Sequence, residues 1–198
     1  MLHDWQTGSG LGKTVARPPE VSAAEAAGLP IAGHTAHQAL TQAAGIRLDG
    51  TEKQANILIT AASGGVGADE VLDYKTTPDG AVLKSPWGKK YDAVIHCATG
   101  ISWSNFEPNL SRNGKVIDLN PGPAALLTFA IKKLTFSSKQ LVPLITNPKK
   151  ENLEYLVNLV KEGKLKTVID SKHPLSKAED GWAKSINGHA TGKIIVEI

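Results

Sequence analysis

The segment that most constrains the fold is an apolar run that leads directly into a glycine-rich turn. Residues 56–61 read Asn-Ile-Leu-Ile-Thr-Ala, and residues 62–67 continue as Ala-Ser-Gly-Gly-Val-Gly. A short run of isoleucine and leucine is typical of a strand that is buried on both faces of a parallel sheet. Glycines after such a strand let the backbone amides approach a phosphate. We therefore predict a pyrophosphate-binding turn here, although a glycine cluster alone also fits a simple tight turn.

The residues after this glycine-rich turn do not form the helix that a pyrophosphate-binding turn requires. A helix should follow, because its N-terminus supplies further amides and a favourable dipole to the anion. Instead, Gly67 is followed directly by residues 68–74, Ala-Asp-Glu-Val-Leu-Asp-Tyr. The stretch 70–74 suits a weak strand, and nothing supplies the crossover of a dozen or more residues that parallel strands need. The sequence thus predicts a dinucleotide-binding turn that lacks its helix.

The rest of the chain alternates apolar runs with helical patterns. Four further strands are predicted at residues 93–97, 115–119, 167–170 and 193–197. Four helices are predicted: one after a capping box of Ser22 and Glu25, one at 31–44, one at 152–162 ending at Gly163, and one after a capping box of Ser176 and Glu179. This alternation predicts an α/β fold with an incomplete, Rossmann-like doubly wound parallel sheet over residues 21–198. Residues 1–20 are predicted to form a flexible arm.

Composition narrows the classes of function. Hydrophobic residues make up 41% and charged residues 21% of the chain, as in an ordinary soluble domain. The single cysteine, Cys97, excludes an internal disulfide and any site with several thiolates, and no metal site is predicted. The net charge of +3 comes with scattered lysines, which argue against nucleic-acid binding and suit an anionic membrane surface or a phosphorylated cofactor. Neither a membrane-spanning helix nor a secretory signal is expected.

Several motifs carry a resemblance to a known family. Residues 29–36 (LPIAGHTA), the strand and turn at 57–67, residues 91–97 (YDAVIHC) and residues 190–196 (ATGKIIV) resemble the medium-chain dehydrogenase/reductase superfamily. Four more stretches resemble its zinc-free, quinone-oxidoreductase-like branch from the plant chloroplast envelope: residues 68–74, 113–118, 139–144 and 164–178. The resemblance covers roughly residues 14–198.

The resemblance implies a fold and an activity. Members combine an N-terminal, GroES-like catalytic barrel with a Rossmann domain, and are similar to NADPH-dependent reductases of quinones and enones (alkenals). The implied chemistry is hydride transfer from the nicotinamide to a quinone or an activated C=C bond, with no zinc. The implied substrate is therefore a small enone or quinone. The resemblance also implies a homo-oligomer, peripheral contact with an anionic membrane, and a place at the chloroplast envelope, the alternative location being the cytoplasm.

The resemblance also implies cofactor-binding residues, which match the family residue by residue. Ser63, Gly64, Gly65 and Val66 match the pyrophosphate turn, and Thr99 and Gly100 match the loop after the second predicted strand. Thr35 matches a helix position near the nicotinamide, and Gly192 and Lys193 match a C-terminal segment on the cofactor side. No catalytic residue is assigned. Each match has a simpler interpretation: Thr35 bonded to its own helix, Lys193 as surface charge, and His96 and Cys97 as strand packing.

The sequence departs from this family pattern in two places. We expect the N-terminal catalytic domain to be absent, and we expect a helix–strand–helix unit of on the order of 30 residues to be missing between Gly67 and Ala68. The missing strand normally reads the adenosine ribose. Three hypotheses follow: an oxidoreductase with weak NADPH affinity, an inactive splice form or fragment that pairs with full-length homologues, or a chain joined in error. The open sheet edge also predicts a marginally stable, aggregation-prone monomer.

Overall fold

The computed structural model describes residues 14–51, 54–61, 72, 83–85, 87–188 and 190–198. The chain divides into two compact units. We call the described residues from 38 to 145 the sheet unit, and the described residues from 14 to 37 and from 146 to 198 the terminal unit.

The sheet unit is built on a four-stranded parallel sheet. Its strands are β1 (Ile57–Ile59), β2 (Tyr91–His96), β3 (Leu110–Asp118) and β4 (Gln140–Pro143), in the spatial order β1-β2-β3-β4. This order matches one half of a doubly wound sheet, whose full order is 3-2-1-4-5-6. Within the described residues, β1 pairs with β2 alone. The predicted α/β fold with an incomplete parallel sheet is confirmed.

Alternating side chains along the strands of the sheet unit form two separate cores. Val94 and Val116 belong to one cluster with Phe106, whereas Ile95 and Ile117 belong to a second cluster. Successive side chains in a strand point to opposite faces, so the sheet is buried on both sides. The near-continuous apolar runs in the sequence predicted this arrangement.

Helical segments connect the strands of the sheet unit. The short helix α3 (Trp103–Phe106) lies between β2 and β3, and α4 (Pro123–Leu134) lies between β3 and β4. A π-helical segment, Ala39–Ala44, ends at Gly45, which has a φ of +81°. Nζ of Lys115 donates to the carbonyl oxygens of Ala43 and Ala44 at 3.2 and 3.3 Å. This lysine thereby satisfies carbonyls at the end of the segment that lack a partner within it.

The terminal unit contains the remaining elements. Its strands β5 (Ile169–Pro174) and β6 (Lys193–Glu197) form a parallel pair of their own. Its helices are α1 (Ala23–Gly28), α2 (Pro30–Gln38), which runs one residue into the sheet unit, α5 (Lys150–Lys161) and α6 (Ala178–Ile186). Leu29, Leu153 and Leu156 form its core cluster. A Cβ at Gly33 would lie 2.8 Å from Cδ1 of Leu156, so the absence of a side chain at Gly33 permits this close packing.

The structure confirms some local predictions and corrects others. The capping box is present, with Ser22 Oγ accepting from the Glu25 amide and Glu25 accepting from the Ser22 amide, and Gly163 has a φ of +70°. The prediction of a capping box at Ser176 is wrong, because a 3₁₀ turn occupies Leu175–Lys177 and α6 starts at Ala178. Only Leu72 of the predicted strand at 70–74 is described, and the assignment of residues 1–20 and 21–198 to an arm and one domain stays a prediction.

Candidate functional site: the carboxyl edge of the sheet

The carboxyl ends of β1, β2 and β3 lie at one edge of the sheet unit, because these strands are parallel. Open α/β sheets bind their ligands outside this edge. Residues 97–100, which we call the edge loop, follow β2 directly. Two of the predicted cofactor-binding residues, Thr99 and Gly100, lie in this loop, and both are exposed. Gly100 has a φ of +85°, a conformation that favours glycine.

Thr60 fastens the edge loop to the end of β1. Its buried side-chain oxygen, Oγ1, accepts hydrogen bonds from the backbone amides of Cys97 at 2.9 Å and Ala98 at 3.3 Å. The same oxygen lies 3.1 Å from Nδ1 of His96. The chain then turns at Ala61, whose φ of +56° is uncommon for a residue other than glycine. The end of one strand therefore sets the position of the loop after its neighbour.

His96 ends β2 inside the protein. Its side chain is only 4% exposed, and its ring meets that of Phe106 edge-on with centroids 4.9 Å apart. Burial lowers the pKa of His96, and the nearby carboxylate of Asp118 opposes that shift. Asp118 lies opposite His96 in β3, and its Oδ1 accepts from the Asn120 amide at 3.0 Å. A buried imidazole in these surroundings favours the neutral form.

Cys97 does not resemble a reactive thiol. Burial raises the pKa of this cysteine, so the thiol stays protonated near neutral pH. Its Sγ lies 3.9 Å from the carbonyl oxygen of Ile95. These contacts agree with the simpler interpretation of Cys97 as strand packing.

Three further predicted residues lie in the terminal unit. The Thr35 hydroxyl donates to the carbonyl of Ile31 at 2.8 Å, four residues earlier in α2, and lies 2.8 Å from the hydroxyl of Thr146. Gly192 has a φ of +116°, and a Cβ there would lie 2.5 Å from the Val168 carbonyl oxygen. The Lys193 amide donates to that same oxygen at 2.8 Å, and Lys193 is exposed. The conformations of Thr35 and Gly192 are thus explained by local contacts, whereas Lys193 is exposed to solvent.

The predicted pyrophosphate turn lies outside the described residues. This applies to Ser63, Gly64, Gly65 and Val66 alike. Of the predicted residues that are described, Thr99 and Gly100 belong to the sheet unit, and Thr35, Gly192 and Lys193 belong to the terminal unit. Their roles as cofactor ligands stay predictions.

Sequence reasoning missed Thr60, which organises the carboxyl edge. Threonine is common in strands, so its residue type alone gave no signal. Its position was informative, because it directly follows β1 and precedes a run of small residues in the sequence. A hydroxyl at that point can accept from the backbone of the neighbouring loop.

A comparison with protein-family models decides the family. The model described as zinc-binding dehydrogenase matches residues 66–196. The chain belongs to this family of the medium-chain dehydrogenase/reductase superfamily. It is 66% identical to the chloroplast envelope quinone oxidoreductase homolog of Arabidopsis thaliana and 64% identical to the chloroplastic quinone-oxidoreductase homolog of Spinacia oleracea.

These two relatives also bear on the predicted interruption. Each alignment runs over 214 residues, takes in 93% of this chain and spans 65% of the length of the relative. Since the whole chain has only 198 residues, each aligned region includes residues of the relative that have no counterpart here. A missing unit inside the fold, as predicted between Gly67 and Ala68, agrees with this difference.

Solved structures show the same fold. The quinone oxidoreductase from Coxiella burnetii superposes with a TM-score of 0.78 at 24% identity, covering 96% of this chain and 65% of that one. An NAD-dependent alcohol dehydrogenase superposes with a TM-score of 0.75 at 21% identity, covering 96% of this chain and 63% of that one. This likeness supports the Rossmann-like fold class.

The metal in the family name does not fit the part of this chain that is described. Across those residues, no three histidine, cysteine, aspartate or glutamate side chains are grouped so that they could hold a metal ion. Structural zinc sites take four side-chain ligands and catalytic sites take three. We therefore assign no chemistry to zinc. Nor does any helix among the described residues have the length and apolar character needed to cross a bilayer.

Proposed function

We propose that this chain is an NADPH-dependent oxidoreductase of the quinone-oxidoreductase type, acting on a small quinone or an enone. The observation that carries the proposal is the edge loop, which presents the exposed Thr99 and Gly100 at the carboxyl edge of a parallel sheet. Dinucleotides bind at this edge in related folds. The relatives named quinone oxidoreductase homologs supply the substrate class.

The described residues suit such a cofactor at the edge loop. Thr99 and Gly100 are small and exposed, and Thr60 fixes the backbone before them. Ser63, Gly64, Gly65 and Val66 are proposed to hold the pyrophosphate. Thr35, Gly192 and Lys193 are proposed as further contacts, with Lys193 supplying a positive charge that can pair with a phosphate. When bound, NADPH supplies the hydride that reduces the substrate.

Tryptophan fluorescence tests whether the cofactor binds. The chain has four tryptophans, so an NADPH titration should quench their emission in a saturable way. Bound NADPH should also raise the melting temperature, since a ligand that binds only the folded state stabilises it. NADH serves as the control for recognition of the 2′-phosphate. Absence of both effects at millimolar NADPH would rule out the proposal.

A second candidate function is that of an inactive partner of full-length relatives. The alignments of 214 residues favour it, because the relatives carry residues that this chain lacks. Co-expression of the chain with a full-length homologue, followed by size-exclusion chromatography, tests pairing. Co-elution, together with no NADPH oxidation by the chain on its own, supports this function, and separate elution contradicts it.

We also propose a location in the chloroplast, with peripheral contact to an anionic membrane, and a homo-oligomeric state. The names of the relatives support the chloroplast location, and the net charge of +3 is compatible with anionic lipid. Fractionation of chloroplasts and flotation with vesicles that contain anionic lipid test the first two proposals. Light scattering coupled to size-exclusion chromatography tests the third.

A further inference from the structure

We propose that Thr60 is a positioning residue, which together with a neutral His96 latches the edge loop in the conformation that faces the cofactor. This inference deepens the proposed function and rests on it for the role of the loop. It concerns residues that the sequence did not single out as ligands. Its basis is the hydrogen-bonding capacity of the Thr60 hydroxyl group.

The hydroxyl group of Thr60 has one proton and two lone pairs. Both lone pairs are used, because Oγ1 accepts from the amides of Cys97 at 2.9 Å and Ala98 at 3.3 Å. The proton is then left for Nδ1 of His96, 3.1 Å away. His96 must therefore accept at Nδ1, which places its own proton on Nε2. The geometry thus fixes both the neutral state and the tautomer of the imidazole.

The surroundings of His96 hold it in this state. Phe106 covers the ring edge-on, and the side chain is almost completely buried. The titratable groups nearby are the Asp118 carboxylate in β3 and the adjacent thiol of Cys97. Burial lowers the pKa of His96 despite the carboxylate. Protonation at Nδ1 would replace the acceptor with a donor and break the bond to Thr60.

The latch joins the residue after β1 to the loop after β2, beyond the last paired residues of the two strands. Thr60 also donates its own amide to the carbonyl oxygen of Ile95 at 3.1 Å, so main chain and side chain hold the end of β2 together. Two of the four residues in the edge loop have amides tied to the hydroxyl, and the other two are the exposed Thr99 and Gly100. Loss of the hydroxyl should release the loop while the strands stay paired.

Amide hydrogen exchange by NMR, on the full chain, tests the latch directly. Thr60→Val keeps the side-chain shape and removes the hydroxyl, whereas Thr60→Ser keeps the hydroxyl. Thr128→Val is a matched control, because the Thr128 hydroxyl donates to the carbonyl oxygen of Ala124 within its own helix. We expect the Cys97 and Ala98 amides to exchange about tenfold faster in Thr60→Val, with exchange in β3 unchanged. Thr60→Ser and Thr128→Val should exchange like the wild type.

Two further readouts accompany the exchange experiment, and the first keeps the proposal falsifiable even if Thr60→Val does not fold. Long-range ¹⁵N–¹H correlation on the wild-type chain should show His96 with its proton on Nε2, and a proton on Nδ1 would overturn the latch. NADPH affinity, measured by fluorescence, should fall about fivefold in Thr60→Val and recover in Thr60→Ser. Unchanged amide exchange in Thr60→Val overturns the latch alone. Failure of the wild-type chain to bind NADPH overturns the proposed function and the positioning role with it.

Discussion

The sheet unit and the terminal unit bury their strands to different extents. In the sheet unit, Val94, Val116 and Ile117 are completely buried, and the sheet has an apolar cluster on each face. In the terminal unit, apolar side chains stay exposed, among them Val196 in the two-stranded sheet and Trp182 in α6. A two-stranded sheet is marginal by itself, whereas a four-stranded sheet with cores on both faces can be stable. We therefore expect the sheet unit to supply most of the stability of the chain.

The largest expected effect comes from a pair of identical truncations in the two units. Ile117→Ala should destabilise the protein by about 2–5 kcal/mol, because Ile117 has no exposed surface and its removal leaves a cavity. Ile186→Ala is the matched control at a side chain that is 71% exposed, and it should change stability by less than about 0.5 kcal/mol. Urea unfolding measures both variants. Equal losses would contradict the difference between the units.

A smaller effect is expected at a tight contact in the terminal unit. Gly192→Ala should destabilise β6 by about 1–3 kcal/mol, because the new Cβ would lie 2.5 Å from the Val168 carbonyl oxygen at a φ of +116°. Gly188→Ala is the control, since its φ is also positive but nothing lies within 4 Å of the new Cβ. Hydrogen exchange of the β6 amides measures this destabilisation in both variants. Similar exchange in the two variants would show that the backbone contact is unimportant.

An ion pair at the surface of the sheet unit should have a modest effect. Glu107 accepts from Lys132 Nζ at 2.7 Å and from Trp103 Nε1 at 2.8 Å, and Lys132 also lies over the Trp103 ring. The hydrogen bond from Lys132 lowers the pKa of Glu107. This stabilisation is thus present above the unfolded pKa near 4.5 and is lost as the pH falls through the folded value.

Glu107→Gln should accordingly lower stability at pH 7 by no more than about 1 kcal/mol, because the pair is partly exposed to solvent. The difference from the wild type should shrink as the solution is acidified below the ordinary pKa of glutamate. Thermal unfolding from pH 3 to pH 7 measures it. A difference that stays constant over this range would show that the charge of Glu107 is irrelevant.

The smallest effect on stability should come from protonation of His96, the buried histidine of the sheet unit. Burial lowers the pKa of His96. The contribution of this histidine to the free energy of unfolding is therefore fully present above its unfolded-state pKa of 6.5, and it is lost as the pH falls below that value. His37 in the terminal unit also has a lowered pKa, so His37→Asn provides the control background. We expect the melting temperature to fall between pH 7 and pH 5 in both the wild type and that variant. A melting temperature independent of pH in that range would contradict a neutral, buried His96.

The sequence was informative where the pattern was local or continuous. The apolar runs predicted β1, β2 and β3 because strands buried on both faces need apolar side chains at nearly every position. The capping box at Ser22 was predictable because both partners lie within three residues. By contrast, β4 was missed, since Gln140–Pro143 is a short strand that contains a proline.

The candidate site was less predictable than the fold. Thr99 and Gly100 were found through the family resemblance, and the structure places them at the carboxyl edge of the sheet. Thr60 and His96 could not be paired from the sequence, because 36 positions separate them and their contact depends on the register between β1 and β2. Likewise, no local signal showed that β5 and β6 would pair with each other.

The most direct test of the account is an NADPH titration of the ¹⁵N-labelled chain, followed through its amide chemical shifts. Binding at the carboxyl edge predicts saturable shifts of Thr99 and Gly100, with little change for the amides of Leu110 and Ser111, which lie at the opposite, amino end of β3. Shifts that saturate with NADPH and are centred on the edge loop would support a working cofactor site. Unchanged shifts of Thr99 and Gly100 at millimolar NADPH would contradict it.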